Sequence, residues 1–243
     1  MILHNDSIRP FLFLDIETVP FYPKYEDLDE TWKALWQAKH RTFRDIEESE
    51  KETYENRAGI YAEFGKVICI SLGYFHHDKE KKTDSFRVKS FYGDDEKMLL
   101  NPLVSLLKKH FSDSDWQLCG HNIREFDIPY LCRRILANCL ELPQILDVSG
   151  RKPWEMNIVD TMQQWRFGDY KNYTSLQLIA AALQIPSPKQ DIEGKDVARV
   201  YWQEKDLQRI MEYCQRDVIT VARILLKFKG ETGILDNSDV VIV

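Results

Sequence analysis

The sequence predicts an α/β domain, a mixed and twisted central sheet with helices on both faces, and three observations carry that prediction. Phe11–Leu14 is an unbroken apolar run, as a central strand buried on both faces requires. Lys66–Phe75 and Ser85–Tyr92 are rich in Val, Ile, Phe and Tyr and flank the polar stretch His76–Asp84, the pattern of paired strands around a turn. From about Gln203 to Lys229, Leu207, Ile210, Met211, Cys214, Val218, Val221 and Leu225 recur at helical spacing, giving one long helix an apolar face to lay on the sheet.

The other elements follow in chain order. Asp15 and Glu17 end the first strand; side chains alternate along a strand, so both point to one side, within reach of one cation or water. Oxygen donors on such a face suit magnesium or manganese. Residues 24–58 are densely charged, with Leu28, Trp32, Leu35, Trp36, Lys39, Phe43 and Ile46 at helical spacing, and predict an insertion of one or two amphipathic helices packed as a cover. His76 and His77 fall at the expected turn and read as solvated loop residues. Asp94 and Asp95 open a helix reaching about His110, which Pro102 either kinks or divides. Trp116–Cys119 is a short strand ended by Gly120, and the chain then turns into a helix with Pro129 in its first turn, placing Asp127 at the junction. That helix continues over Tyr130–Cys139, and Glu141–Pro153 is irregular. Asp160 has the setting of an N-cap, and Thr174-Ser-Leu-Gln177 that of a capping box opening a helix to about Leu183. Ile185–Gly194, with Pro186 and Pro188, is a loop; Gly230 ends the last helix, and Glu231–Val243 reads as a loosely held tail.

Composition sets the bounds. A chain of 243 residues that is 44% hydrophobic can bury a large core, and without a repeat, a low-complexity segment or a linker, residues 1–243 are expected to form one domain. No apolar run approaches the roughly 18 residues of a membrane span. The opening Met-Ile-Leu-His-Asn-Asp lacks the order of a signal peptide, so a cytoplasmic location is expected. Cys69, Cys119, Cys132, Cys139 and Cys214 are odd in number and form no Cys-x-x-Cys, which indicates core packing rather than a disulfide framework or a zinc site. A net charge of -6 excludes a nucleic-acid binder driven by general electrostatic affinity. It leaves room for an enzyme that grips a few nucleotides at an acidic site filled by cations.

On the last helix Tyr213 and Asp217 are four residues apart and share a face. The order of motifs is then Asp-x-Glu at a first strand (Asp15, Glu17), Asn-x-x-x-Phe-Asp at a helix start (Asn122, Asp127), and Tyr-x-x-x-Asp on a late helix (Tyr213, Asp217). This combination resembles the DEDD superfamily of 3′ to 5′ exonucleases in its tyrosine-bearing (DEDDy) branch, most nearly the proofreading exonuclease domain of family-B DNA polymerases and its predicted stand-alone relatives. The histidine-bearing branch has a histidine where this chain has Glu212. The resemblance runs loosely from about Arg9 to Lys229 and implies a ribonuclease-H-like fold. It also implies 3′ to 5′ hydrolysis of single-stranded DNA to nucleoside monophosphates with two divalent cations, Mg2+ or Mn2+. Asp15, Glu17, Asp127 and Asp217 become the metal-binding and catalytic acids, and Tyr213 the residue that positions the attacking water. Thr18 and Asn122, beside the acids, are expected to hold the terminal nucleotide of the bound strand. The insertion at 24–58 is long for a minimal exonuclease domain, and 243 residues leave no room for a polymerase. The rival readings are an exoribonuclease, since the acidic site itself is indifferent to the sugar and discrimination depends on contacts to the 2′ hydroxyl, and a noncatalytic nucleic-acid-binding domain.

Overall fold

The computed structural model describes residues 11–44, 47–80, 83–112, 115–169, 171, 173–186, 191–231 and 235–243; the N-terminal hexapeptide, Ile46 and Pro188 lie outside them. The strands are β1 (Phe11–Pro20), β2 (Gly65–Asp78), β3 (Thr83–Tyr92), β4 (Gln117–Gly120), β5 (Ile158–Asp160) and β6 (Val240–Ile242). They form one mixed sheet in the order β5-β4-β1-β2-β3-β6. β2 is antiparallel to β1 and β3, whereas the β1/β4, β4/β5 and β3/β6 pairs are parallel. The helices are α1 (Glu30–His40), α2 (Glu50–Arg57), α3 (Glu96–His110), α4 (Asp127–Ala137), α5 (Thr161–Arg166), α6 (Leu176–Ala182), α7 (Val197–Arg199) and α8 (Leu207–Phe228). This α/β architecture, a mixed sheet flanked by helices, is that of a ribonuclease-H-like exonuclease fold. None of these helices is long and apolar enough to cross a membrane.

The alternation of β1 builds two cores. Leu12, Leu14 and Ile16 join Leu100 and Leu103 of α3 and Leu131 of α4 on one face. Phe11 and Phe13 face Val218, Val221 and Leu225 of α8 on the other. Asp15 and Glu17 share the α8 side by the same period of two. The insertion has its own core around Trp36, which is fully buried and packs edge-on against Tyr54 and Phe64. It is a packed cover.

Several boundaries differ from the sequence reading. β1 runs on to Pro20, paired with β2 from Phe13 onward with a register shift at Glu17/Thr18, and buries Val19 beyond the acids; the carboxylates lie within the strand and not at its end. His76 and His77 belong to β2, opposite Ser85 and Asp84, and His77 Nδ1 lies 2.9 Å from Asp84 Oδ1, so they are not solvated loop residues. Three residues were too few for β5 to leave a periodic signal. Ser175, not Thr174, caps α6 by accepting from the Leu178 amide, and the Thr174 carbonyl is engaged by His121. α8 begins at Leu207: α7 continues as a π-helical turn (Val200–Glu204), left-handed Lys205 (φ 58°) breaks it, and Asp206 caps the new helix. The tail is not loose where it is described. β6 pairs with β3, and Arg223 donates to the Leu235 carbonyl and Asn237 Oδ1.

One buried ion pair ties α3 and α4 to the sheet. Glu96 accepts from Arg134 (Nη2, 2.6 Å), Asn138 Nδ2 (2.7 Å) and the Val67 amide (2.8 Å), and Arg134 Nη1 also donates to the Ala62 carbonyl. Removing one partner strands the other charge away from water, which costs about 3–5 kcal/mol. Arg134→Met is therefore expected to lower the melting temperature by about 6–20 °C in a domain of this size. A thermal melt within a degree or two of the parent would show that the pair carries no such weight.

Candidate active site

The acids come from three separated segments. β4 pairs with β1 only through Phe13, opposite Cys119, so beyond that point the β1 edge is open. Gly120 lets the chain leave β4 tightly: a Cβ there would lie 2.7 Å from Ile123 and 2.9 Å from the Leu14 carbonyl. Asn122 adopts a left-handed backbone (φ 59°), and the chain re-enters as α4 with Asp127 in its first turn. Asp127 Oδ1 then accepts from the Ile16 amide at 3.1 Å and takes over as partner of the open β1 edge. An acid that sequence alone leaves as an ordinary helix-start residue is thus turned onto the strand between Asp15 and Glu17. From the opposite side α8 presents Tyr213, Cys214 and Asp217, all buried.

Asp15 and Glu17 each lie within electrostatic range of Asp127 and Asp217. Burial, then the neighbouring carboxylates, raises the pKa of Asp15 and of Glu17 well above the usual range. Asp127 is pushed up to about 7, again chiefly by burial, although the Ile16 amide favours its ionised form. Asp15 Oδ2 is buried without a hydrogen-bond partner. One ligand atom each of Asp15, Glu17 and Cys214 lie within 4.8 Å of one another. Burial, followed by the charges of Asp217, Glu17 and Asp15, raises the Tyr213 phenol far above its ordinary value, and its hydroxyl donates to Asp217. Like charges gathered out of water are unstable unless protons or cations neutralise them. A set of carboxylate oxygens with one orphaned donor atom fits a hard divalent cation.

Thr18 follows a β-bulge at Glu17/Thr18 and donates to the Gly59 carbonyl (2.8 Å), which also takes the Tyr130 hydroxyl (3.0 Å). Asn122 Oδ1 is buried and without a hydrogen-bond partner. Three further residues were not foreseen as parts of this region. Asp160 is an N-cap, as its setting predicts, but it also accepts from the Asn122 and Arg124 amides, so one carboxylate holds both α5 and the turn that delivers Asp127. His121 is poised between Thr161 Oγ1 (3.1 Å) and the Thr174 carbonyl (3.0 Å). Cys214 was read as part of the apolar stripe, but its thiol donates to the Asp15 carbonyl at 3.4 Å. Its place beside Tyr213 in the sequence was the available signal.

A family model described as "predicted 3′-5′ exonuclease related to the exonuclease domain of PolB" matches residues 60–242, about three quarters of the chain. The match takes in Asp127, Tyr213 and Asp217, while Asp15 and Glu17 precede it. No curated protein matches the chain.

Proposed function

The chain belongs to the family of predicted 3′-5′ exonucleases related to the exonuclease domain of PolB, and from that premise we propose that it is a DEDDy-type, two-metal 3′ to 5′ exonuclease acting on single-stranded DNA ends. One observation carries this reading: carboxylates from β1, α4 and α8 lie within electrostatic range of one another, and Asp15 among them keeps a buried oxygen free of any hydrogen bond. Asp15, Glu17, Asp127 and Asp217 would hold the two cations. When bound, the cations activate the attacking water and stabilise the departing 3′ oxygen. The rest falls to the chain. The carboxylates exchange protons for cations, and the surrounding core keeps bulk water out. Tyr213 stays protonated because burial and the acids oppose its ionisation, so it cannot serve as the base. Its hydroxyl orients the attacking water. In the reaction the water oxygen bonds to phosphorus, the bond to the 3′ oxygen breaks, and that oxygen leaves with a proton, freeing a nucleoside 5′-monophosphate. Thr18 and Asn122 are proposed contacts to the terminal nucleotide, and residues 1–243 a single domain.

The test is digestion of 5′-labelled single strands, in DNA and RNA versions, with magnesium or manganese. Stepwise shortening of the DNA from its 3′ end, abolished by excess chelator and poorer on blunt duplex, is expected. Cutting of a closed single-stranded circle would make the enzyme an endonuclease, preference for the RNA version would make it an exoribonuclease, and full activity in chelator would sink the metal assignment.

The buried acids also predict how stability depends on pH. Asp15, Glu17 and Asp127 all have folded pKa values above their unfolded ones. Their contribution to stability is therefore complete below the ordinary carboxylate range near pH ~4 and is lost as pH rises through the folded values, about 7 for Asp127. Cations replace the protons, so manganese should raise the melting temperature more at pH ~8 than at pH ~5. An equal gain at both would count against cation binding by these acids.

A further inference from the structure

Cys214 is fully buried on α8, and its thiol is directed at β1, where it donates to the Asp15 carbonyl. Its ligand atom and one each of Asp15 and Glu17 all lie within 4.8 Å of one another, and among the described residues no other three His, Cys, Asp or Glu side chains come so close. Neither Asp127 nor Asp217 joins that set; the sulfur does. Donor atoms around one tetrahedral cation stand about 3.5 Å apart, given bonds of about 2.0 Å to oxygen and about 2.3 Å to sulfur. Closing the set therefore takes a shift of about 1.3 Å at most, which side-chain rotation can supply. Two observations point to a cation there rather than to packing alone. Asp15 Oδ2 is buried without a hydrogen-bond partner, an acceptor that a proton or a cation would satisfy. The bond from the thiol to the Asp15 carbonyl, at 3.4 Å, is a weak one and easily exchanged for a bond from sulfur to a metal. Sulfur changes which cation the set prefers: carboxylates alone suit hard magnesium and manganese, whereas a thiolate favours softer zinc. No motif announces this, because Cys214 and Asp15 are 199 positions apart.

We propose that Asp15, Glu17 and Cys214 form a zinc site overlapping the acidic one, so that zinc stops the nuclease by occupying two of its carboxylates. The inhibitory role rests on the nuclease reading; the zinc site itself does not. On binding, the thiol proton passes to water and the sulfur electron pair forms the bond to zinc.

The experiment titrates the metal-free full chain with zinc and, separately, with manganese against a chromophoric chelator, and with cadmium while following the ultraviolet band of a metal-bound thiolate. Cys214→Ser, which keeps size and a hydroxyl donor, is expected to weaken zinc binding about 100-fold and manganese binding no more than about threefold. The cadmium band should disappear in Cys214→Ser and persist in Cys139→Ser, which alters an exposed thiol. In magnesium-driven digestion, the zinc concentration that halves the rate should rise in Cys214→Ser by the factor lost in zinc affinity. Equal losses for zinc and manganese would show a packing role and overturn the site, as would a cadmium band that survives Cys214→Ser. Should the serine variant not fold, Asp15→Asn decides: zinc affinity equal to the parent's would overturn the shared site. A parent that holds zinc through Cys214 and degrades no strand sinks the nuclease reading and keeps the zinc site. A parent that degrades strands with a zinc affinity untouched by Cys214→Ser does the reverse, and one that neither cuts nor binds zinc overturns both.

Discussion

Asp15→Asn is expected to abolish nuclease activity and, in the same molecule, to raise the melting temperature of the metal-free protein. Both effects follow from one geometry. Asp15 is flanked by Asp127 and Asp217, and its Oδ2 is buried without a hydrogen-bond partner. At neutral pH without cations, the folded chain must either keep a charge beside like charges out of water or take up a proton, and each option costs stability. The amide preserves shape and removes the charge. A gain of about 1–2 kcal/mol would appear as a rise of about 2–8 °C, and it should grow from pH ~5 to pH ~8 because the raised carboxylate titrates in that direction. Activity should fall by about 10³-fold or more, since a neutral amide is a poor replacement for a carboxylate that would hold cations stabilising charge in the transition state. Melts and single-turnover rates of parent and variant give both numbers. A variant above a tenth of parental activity would refute the metal-ligand role of Asp15, and one less stable than the metal-free parent would refute the repulsion.

How much of this was legible in the sequence depended on whether a residue's role is local. The period of two along β1 places Asp15 and Glu17 on one face, and the four-residue spacing on α8 does the same for Tyr213 and Asp217. Both pairs are fixed within a single element. Asp127 is different, because its orientation depends on where β4 stops pairing with β1 and on the left-handed turn at Asn122, which are tertiary facts. The sequence motif identified the residue, and the Ile16 amide explains why it faces the strand. Asp160 shows the limit most clearly: an N-cap is visible from its neighbours, but the Asn122 and Arg124 amides it also holds are nearly forty residues away. The edge strand β6 was missed for the same reason. Three apolar residues become a strand only because β3 leaves an edge open to them.

Tyr213→Phe tests the chemistry itself, and it is best read against Asp217→Ala. The ring of Tyr213 is buried with Val19, Ile68 and Met211, so phenylalanine keeps the packing and removes only the hydroxyl. If that hydroxyl orients water, the variant should retain metal and DNA affinity while single-turnover cleavage at saturating DNA slows by about 10- to 1,000-fold, the usual range for a positioned hydrogen-bonding group. Asp217→Ala should instead weaken metal binding, because it removes a ligand oxygen. The hydrogen bond from Tyr213 to Asp217 allows a third outcome. Should both variants lose metal affinity equally, the hydroxyl serves to hold the carboxylate in place and the water-orienting role fails. Metal titrations in each variant separate these cases. The pH dependence supplies a further check: the raised phenol pKa means Tyr213 does not ionise over the working range, so parent and Tyr213→Phe should share the shape of their rate profiles and differ only in height. A basic limb present in the parent and missing from the phenylalanine variant would make the tyrosine an acid–base group after all.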